Sequence, residues 1–254
     1  MTFKTGWLKD AEDSRDKNAV ELMAASPRPA TRPKLENFLP EPYDQLQTSS
    51  CVANAGSGAI FTRWGAQGFT NRRKPSVLWL YDIARAINDA HLVDEGTYLR
   101  NLGQSMHVMG IASDESWPFS EANVNTRPPW KAMRAAYDQR WMSGYFRISE
   151  TGQARIDHIK TALDLGYPVV YGMNITQEWF DYSKGVLANT GKHVGGHATF
   201  LYDYNDVDAC LFGQNSWNKT WGEHGRYRIK MSAIASADAS DLWIFQTVPK
   251  DSGT

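Results

Sequence analysis

Four side chains at suggestive spacings could together carry out acyl transfer through sulfur. Cys51 lies six positions after Gln45, His197 follows Gly195 and Gly196, and Asn215 stands in the run Gln214-Asn-Ser-Trp217. A thiol with an ordinary pKa of about 8.5 is only slightly ionised at neutral pH, so a catalytic cysteine needs help. The small residues after Cys51 predict a helix starting there, whose unpaired backbone N–H groups and positive dipole end favour thiolate. An imidazolium does so more strongly, and His197 is the best placed of the histidines: two glycines before it leave access, and the β-like run after it fixes its backbone. The Asn215 amide can accept from one ring nitrogen and turn the other toward sulfur, as an aspartate does in serine triads. Gln45 offers a side-chain donor that, with the Cys51 backbone N–H, would receive an oxyanion; one such donor is worth about 3 to 4 kcal/mol of barrier. This chemistry needs no metal or cofactor.

The elements that must position these groups change character along the chain. Residues 1–38 are polar, with Pro27, Pro29 and Pro33 close together, and are expected to form an extended arm. From Cys51, Ala53, Ala55, Gly56, Gly58 and Ala59 give way to Ile60, Phe61 and Trp64, a helix that tertiary burial must hold because glycine disfavours it. A second helix starts after Ser76, a plausible cap, with Val77, Leu80, Ala84 and Ile87 at helical spacing. A third follows Gly96, with Leu99, Leu102, Met106 and Met109 on one face until Gly110. After Pro128-Pro129 one more helix carries Ile156, Ile159 and Leu163. Short β-like runs then dominate, at 169–173, 198–204, 209–213, 226–231 and 242–248. The expected architecture is α+β: a catalytic domain over 39–254, mainly helical over about 45–135 and mainly antiparallel β over about 136–250, with the site in the cleft between the halves.

Composition limits the alternatives. The 254 residues carry a net charge of -1, so nothing in the balance favours a nucleic-acid or membrane-surface partner. No signal-peptide core and no spanning apolar run is evident, which leads to the expectation of a monomer that is cytoplasmic or delivered without a signal peptide, as an effector or virion cargo. Two cysteines cannot build a disulfide framework. Cys210 reads as a buried strand thiol and His193 as a surface residue, and the other histidines show no metal-ligand spacing.

Taken with their flanking residues, the four groups resemble the papain-like cysteine peptidases. That family's pattern runs from Gln to Cys at a helix start, then to His-Ala before a strand, then to Asn-Ser-Trp followed by Trp-Gly. Gln45, Cys51, His197-Ala198, Asn215-Ser216-Trp217 and Trp221-Gly222 match it in order and scale. The resemblance covers roughly 40–248 and includes Ser116-Trp-Pro-Phe119 and Gly166-Tyr-Pro-Val-Val170. It implies a thiol peptidase acting on protein or peptide substrates. It further implies that Glu95-Gly96 is the edge that pairs with an extended substrate backbone, that Gly196 borders the cleft, and that Trp217 shields the hydrogen bond between Asn215 and His197. The detailed wording is closer to bacterial and phage-type members.

The chain departs from the family pattern at several points. Thr48 stands where a second cysteine usually braces the active-site loop, Val52 where an aromatic usually follows the nucleophile, and Asn218 where glycine usually follows Asn-Ser-Trp. The segment before the match is too short for the family's long helical propeptide, so the expected role of the arm is to wrap the helical half, anchored by Gly6-Trp7-Leu8, rather than to inhibit. Two alternative functions share this scaffold: an isopeptidase or transpeptidase, and a catalytically idle binding protein.

Overall fold

The computed structural model describes residues 3–138 and 142–248; the outermost positions assigned above to the arm and the catalytic domain, 1–2 and 249–254, lie outside them, as do 139–141. In chain order, the strand β1 (Trp7–Leu8) and the helix α1 (Ala19–Ala25) are followed by a 3-10 turn at Leu35–Phe38. Then come the helices α2 (Cys51–Ala66) and α3 (Val77–Ala86), the short strand β2 (Thr97–Tyr98) and the helices α4 (Leu99–Met109) and α5 (Trp130–Asp138). The second half holds β3 (Met142–Ile148), α6 (Gly152–Asp164), β4 (Val169–Thr176), α7 (Gln177–Phe180), β5 (His193–Asn205), β6 (Cys210–Gln214), β7 (Arg226–Lys230), α8 (Met231–Ala235) and β8 (Ala239–Thr247). This is the expected α+β arrangement of helices followed by an antiparallel sheet.

Helix α2 begins at Cys51 and is buried almost all round, which accounts for its small residues and lack of a polar face. A Cβ on Gly56 would come within 2.5 Å of Leu102 on α4, and one on Gly58 within 2.5 Å of Phe200 on β5. The two glycines thus let one helix pack closely against both halves. Helix α3 starts where its cap predicts, with Ser76 Oγ accepting from the Trp79 N–H. Helix α4 ends at Gly110, whose φ of 82° lies in the left-handed region.

Six strands form one antiparallel sheet in the order β3-β8-β4-β5-β6-β7. Its register places the catalytic candidates: Met173 on β4 pairs with His197 on β5, and Phe200 pairs with Gln214 at the end of β6, next to Asn215. Cys210 is buried on β6, as expected, and His193 is exposed at the start of β5 beside Asp238.

The amino-terminal segment differs from expectation. Rather than a wholly extended arm, it contains the seven-residue helix α1, capped by Asn18 through its side-chain oxygen, and the turn at Leu35–Phe38. Strand β1 pairs with β2 in parallel, Trp7 opposite Thr97 and Leu8 opposite Tyr98.

Candidate active site

Cys51 Sγ sits at the first turn of α2, preceded by Ser50, and is fully buried. His197 is buried on β5 and Asn215 is buried just past β6. The imidazole Nε2 lies 2.8 Å from Asn215 Oδ1. The same Oδ1 also accepts from the Ser216 N–H at 2.7 Å, which fixes that atom as the amide oxygen and therefore makes Nε2 the protonated ring nitrogen. Nδ1 is buried without a hydrogen-bond partner, leaving its lone pair available. The Trp217 ring stacks on the imidazole with centroids 4.5 Å apart, and Trp179 meets it edge-on at 6.1 Å.

Gln45 is tied to the far side of the cleft. Its N–H donates to the Ser216 carbonyl at 2.9 Å, and its Oε1 accepts from Ser216 Oγ at 2.7 Å. Thr48, in place of the bracing cysteine, donates from Oγ1 to the Gln45 carbonyl and shares a 2.7 Å hydrogen bond with Ser50 Oγ. A hydroxyl network thus holds the loop that a disulfide holds elsewhere. Asn218 adopts φ 59°, a left-handed conformation that asparagine tolerates. Its side chain secures the turn by accepting from the Thr220 N–H and donating to Asp44.

The arm runs through this cleft, which corrects the expectation that it only wraps the helical half. The Phe3 ring stacks on Trp217 at 4.5 Å, nearly parallel. The Lys4 carbonyl accepts from Gln45 Nε2 at 3.1 Å. The Gly6 N–H donates to the Gly196 carbonyl at 3.0 Å, while the Gly6 carbonyl accepts from the Thr97 N–H at 2.9 Å, so one residue bridges the two halves. Side chains are excluded here, because a Cβ on Gly96 would overlap the Gly6 carbonyl and one on Gly6 would overlap the Ser49 carbonyl. Gly96 also has φ 91°. Glu95, beside it, is exposed.

Beyond Gly6 the arm is latched by charge and by indole N–H groups. Trp7 packs its ring against Gly172, leaving no room for a Cβ there, and donates from Nε1 to Asp241 Oδ2 at 3.1 Å. The Asp10 N–H donates to the same oxygen at 2.7 Å, and Asp10 Oδ2 accepts from Trp243 Nε1 at 3.0 Å. Arg147 pairs with both Asp241 and Asp16, and Arg100 pairs with Asp16. Burial, followed by repulsion from Asp241, raises the Asp10 carboxyl to about 6. The Asp241 carboxyl is raised as well, again chiefly by burial.

Burial governs the protonation of the central pair. Burial pushes the Cys51 thiol up to about 12, against the opposing pull of backbone N–H groups that include Gly6. Burial also pushes His197 down to about 4, although its bond to Asn215 acts the other way. Both groups are therefore neutral near pH 7, Cys51 as a thiol and His197 as an imidazole.

Of the residues singled out from the sequence, His197 and Asn215 are hydrogen-bonded to each other, Gln45 is held against Ser216 and Cys51 opens α2. The sequence marked Trp7 as an anchor of the arm but did not find Asp10 and Asp241, whose association with it depends on the arm threading back through the fold.

The profile of the papain family cysteine proteases matches residues 32–241, and the chain belongs to that family. It is a cysteine peptidase. An uncharacterised peptidase C1-like protein of Acanthamoeba polyphaga mimivirus is 29% identical over 216 residues, covering 81% of this chain and 69% of that protein. A cathepsin B-like protein of Giardia intestinalis is 24% identical, covering 78% and 67%. Among solved structures, xylellain, a cysteine protease from Xylella fastidiosa, is 25% identical, with a TM-score of 0.81 over 96% of both chains. Relatives from a virus, a protist and a bacterium mean that the bacterial or phage-type wording of the motifs does not single out one kind of source. No helix among the described residues is long and apolar enough to cross a membrane.

Proposed function

We propose that the protein is a latent peptidase in which Cys51 is the nucleophile, His197 the acid–base, Asn215 its orienter and Gln45 an oxyanion donor, with residues 3–10 holding the cleft closed. The observation that carries this reading is the hydrogen bond from His197 Nε2 to Asn215 Oδ1, 2.8 Å long. It puts the ring proton on Nε2, which supports Nδ1 as the nitrogen that works on sulfur.

Once the arm leaves, water re-enters, and the burial that keeps thiol and imidazole neutral is relieved. His197 Nδ1 takes the Cys51 proton, and the thiolate attacks the carbonyl carbon of a protein or peptide substrate. Gln45 Nε2 and the Cys51 N–H receive the oxyanion. The C–N bond breaks as the imidazolium protonates the leaving amine, giving a thioester. His197 then deprotonates water, whose oxygen attacks the thioester; the C–S bond breaks to release the carboxylic acid, and the imidazolium returns the proton to sulfur. In this reading Gly96 and Gly196 offer the backbone positions now used by Gly6, Trp217 screens the bond between Asn215 and His197, and Glu95 lies at the rim as a contact for incoming substrate. A monomer suffices, because every group comes from one chain.

The test is hydrolysis of a casein or peptide-library substrate by chain lacking residues 1–10, beside its Cys51→Ala counterpart. Turnover lost in Cys51→Ala, with labelling by an epoxysuccinyl inhibitor confined to Cys51, supports the reading. Turnover retained in Cys51→Ala overturns it. A peptide library also separates general hydrolysis from isopeptide cleavage or transpeptidation, which use the same groups.

A further inference from the structure

Asp94, just ahead of the glycine edge, has its two carboxylate oxygens in different settings. Oδ1 is pinned from within the protein, accepting from the Ser49 N–H and from the Tyr81 hydroxyl, each at 2.8 Å. The Asp94 carbonyl accepts from Ser49 Oγ at 3.1 Å, and Tyr81 Oη accepts from the Gly96 N–H at 3.0 Å. The carboxylate is thereby fixed between the loop that leads to Cys51 and the edge at Gly96.

Oδ2 is left for the occupant of the cleft. In the resting chain that occupant is Lys4, whose Nζ donates to Oδ2 at 3.0 Å. The lysine side chain is 45% exposed and that of Asp94 12%, so this oxygen is reached from the open side of the cleft. Arg85 lies behind Asp94, but its guanidinium donates to the Tyr81, Val93 and Val124 carbonyls and to Asn125 Oδ1. Glu95, next in sequence, is exposed and adds negative charge.

The same lysine meets the oxyanion donor, since its carbonyl accepts from Gln45 Nε2 at 3.1 Å. Gln45 Nε2 and Asp94 Oδ2 are therefore set one lysine apart, carbonyl to ammonium. Under the proposed function, the residue whose carbonyl Gln45 receives is the one whose acyl group passes to sulfur.

We propose that Asp94 is a specificity-determining residue, which selects lysine as the residue contributing the acyl group of the cleaved bond. The substrate ammonium replaces that of Lys4 at Oδ2, restoring a donor to a mostly buried carboxylate. The proposal rests on the peptidase reading and gives its substrate class, proteins and peptides cut after lysine.

The test uses the full-length chain carrying Lys4→Ala and Gly6→Val, the first removing the resident cation and the second unseating the arm. The substrates are two sets of peptidyl aminomethylcoumarins, with lysine or norleucine beside the coumarin and mixed residues before it, assayed at about pH 7. Lysine and norleucine differ in the ammonium group. The expected kcat/KM is about three- to tenfold higher for lysine, more than an exposed ion pair gives and less than a fully buried charged hydrogen bond. Asp94→Asn, which keeps an acceptor for Ser49 and Tyr81, should erase the difference, with circular dichroism confirming its fold. The norleucine comparison reads the contact even where that variant fails to fold. Cys51-dependent turnover that is equal for the two sets, or a lysine preference that survives in folded Asp94→Asn, overturns this proposal alone. No Cys51-dependent turnover of either set overturns the peptidase reading and the proposal with it.

Discussion

Gln45 Nε2 donates to the Lys4 carbonyl at 3.1 Å and to the Thr48 carbonyl at 2.8 Å. The arm thus lays a backbone carbonyl against the donor assigned to the oxyanion. The resting chain holds this donor, the glycine edge and the Trp217 face all occupied by its own residues.

Displacing the arm should uncover the thiol. Gly6→Val places a side chain where the Ser49 carbonyl leaves no space, so the arm cannot seat. Iodoacetamide should alkylate Cys51 at least about tenfold faster in Gly6→Val than in the parent chain at about pH 6, where only an activated thiol reacts. Mass spectrometry of the labelled peptide measures it. Equal rates would show that the arm does not control access.

Gln45→Ala, in chain freed of its arm, should lower kcat by about 10²- to 10³-fold, the usual cost of one oxyanion donor. KM should move much less, because the donor acts on charge that develops during reaction. Steady-state kinetics on a fluorogenic peptide separates the two.

Arm docking should weaken as pH rises. Asp10 faces Asp241, Trp243 and Arg100, and behind Asp241 and Arg100 lie Trp7, Arg147 and Asp16. Its carboxyl is raised from 3.8 to about 6 in the docked state, so docking takes up a proton. The stabilisation is complete below the free value and is lost as pH climbs through about 6. Hydrogen-exchange protection of the Gly6 and Thr97 amides, corrected for intrinsic rates, should therefore fall between about pH 4 and pH 6. Asp10→Asn should flatten that profile; an unchanged profile in the variant would remove Asp10 from the linkage.

Gly58→Ala should destabilise the fold despite improving helix propensity. The added methyl meets Phe200 at 2.5 Å across a buried contact, and overpacking of this kind costs about 1–3 kcal/mol against a propensity gain of about 1 kcal/mol. Urea unfolding gives the difference.

Much of this molecule was legible from its residues because the signals were local. Ser76 capping α3, Gly110 ending α4 and the small residues after Cys51 each act within a turn or two of chain. The strand runs from Val169 onward were found for the same reason, although β3 was missed: its sequence, Met142–Ile148, includes a glycine and an arginine and shows weak alternation. Helix α1 was missed because the prolines after it dominate the composition of the segment. The arm's path was hidden for a different reason. Trp7 meets Asp241 across 234 positions, and no local pattern announces a pairing whose energy comes from burying both partners against a folded surface.

Gly6 joins Thr97 on one side to Gly196 on the other, so under the proposed function a substrate using those backbone positions must win them from a competitor tethered to the protein. Such a competitor has an effective concentration set by the length of its leash, of millimolar order for short flexible tethers, and it does not decrease when the protein is diluted. Apparent affinity for substrate in the intact chain is therefore a ratio of two bindings. A partner or cleavage event that severs the leash would change that ratio without altering a single catalytic group.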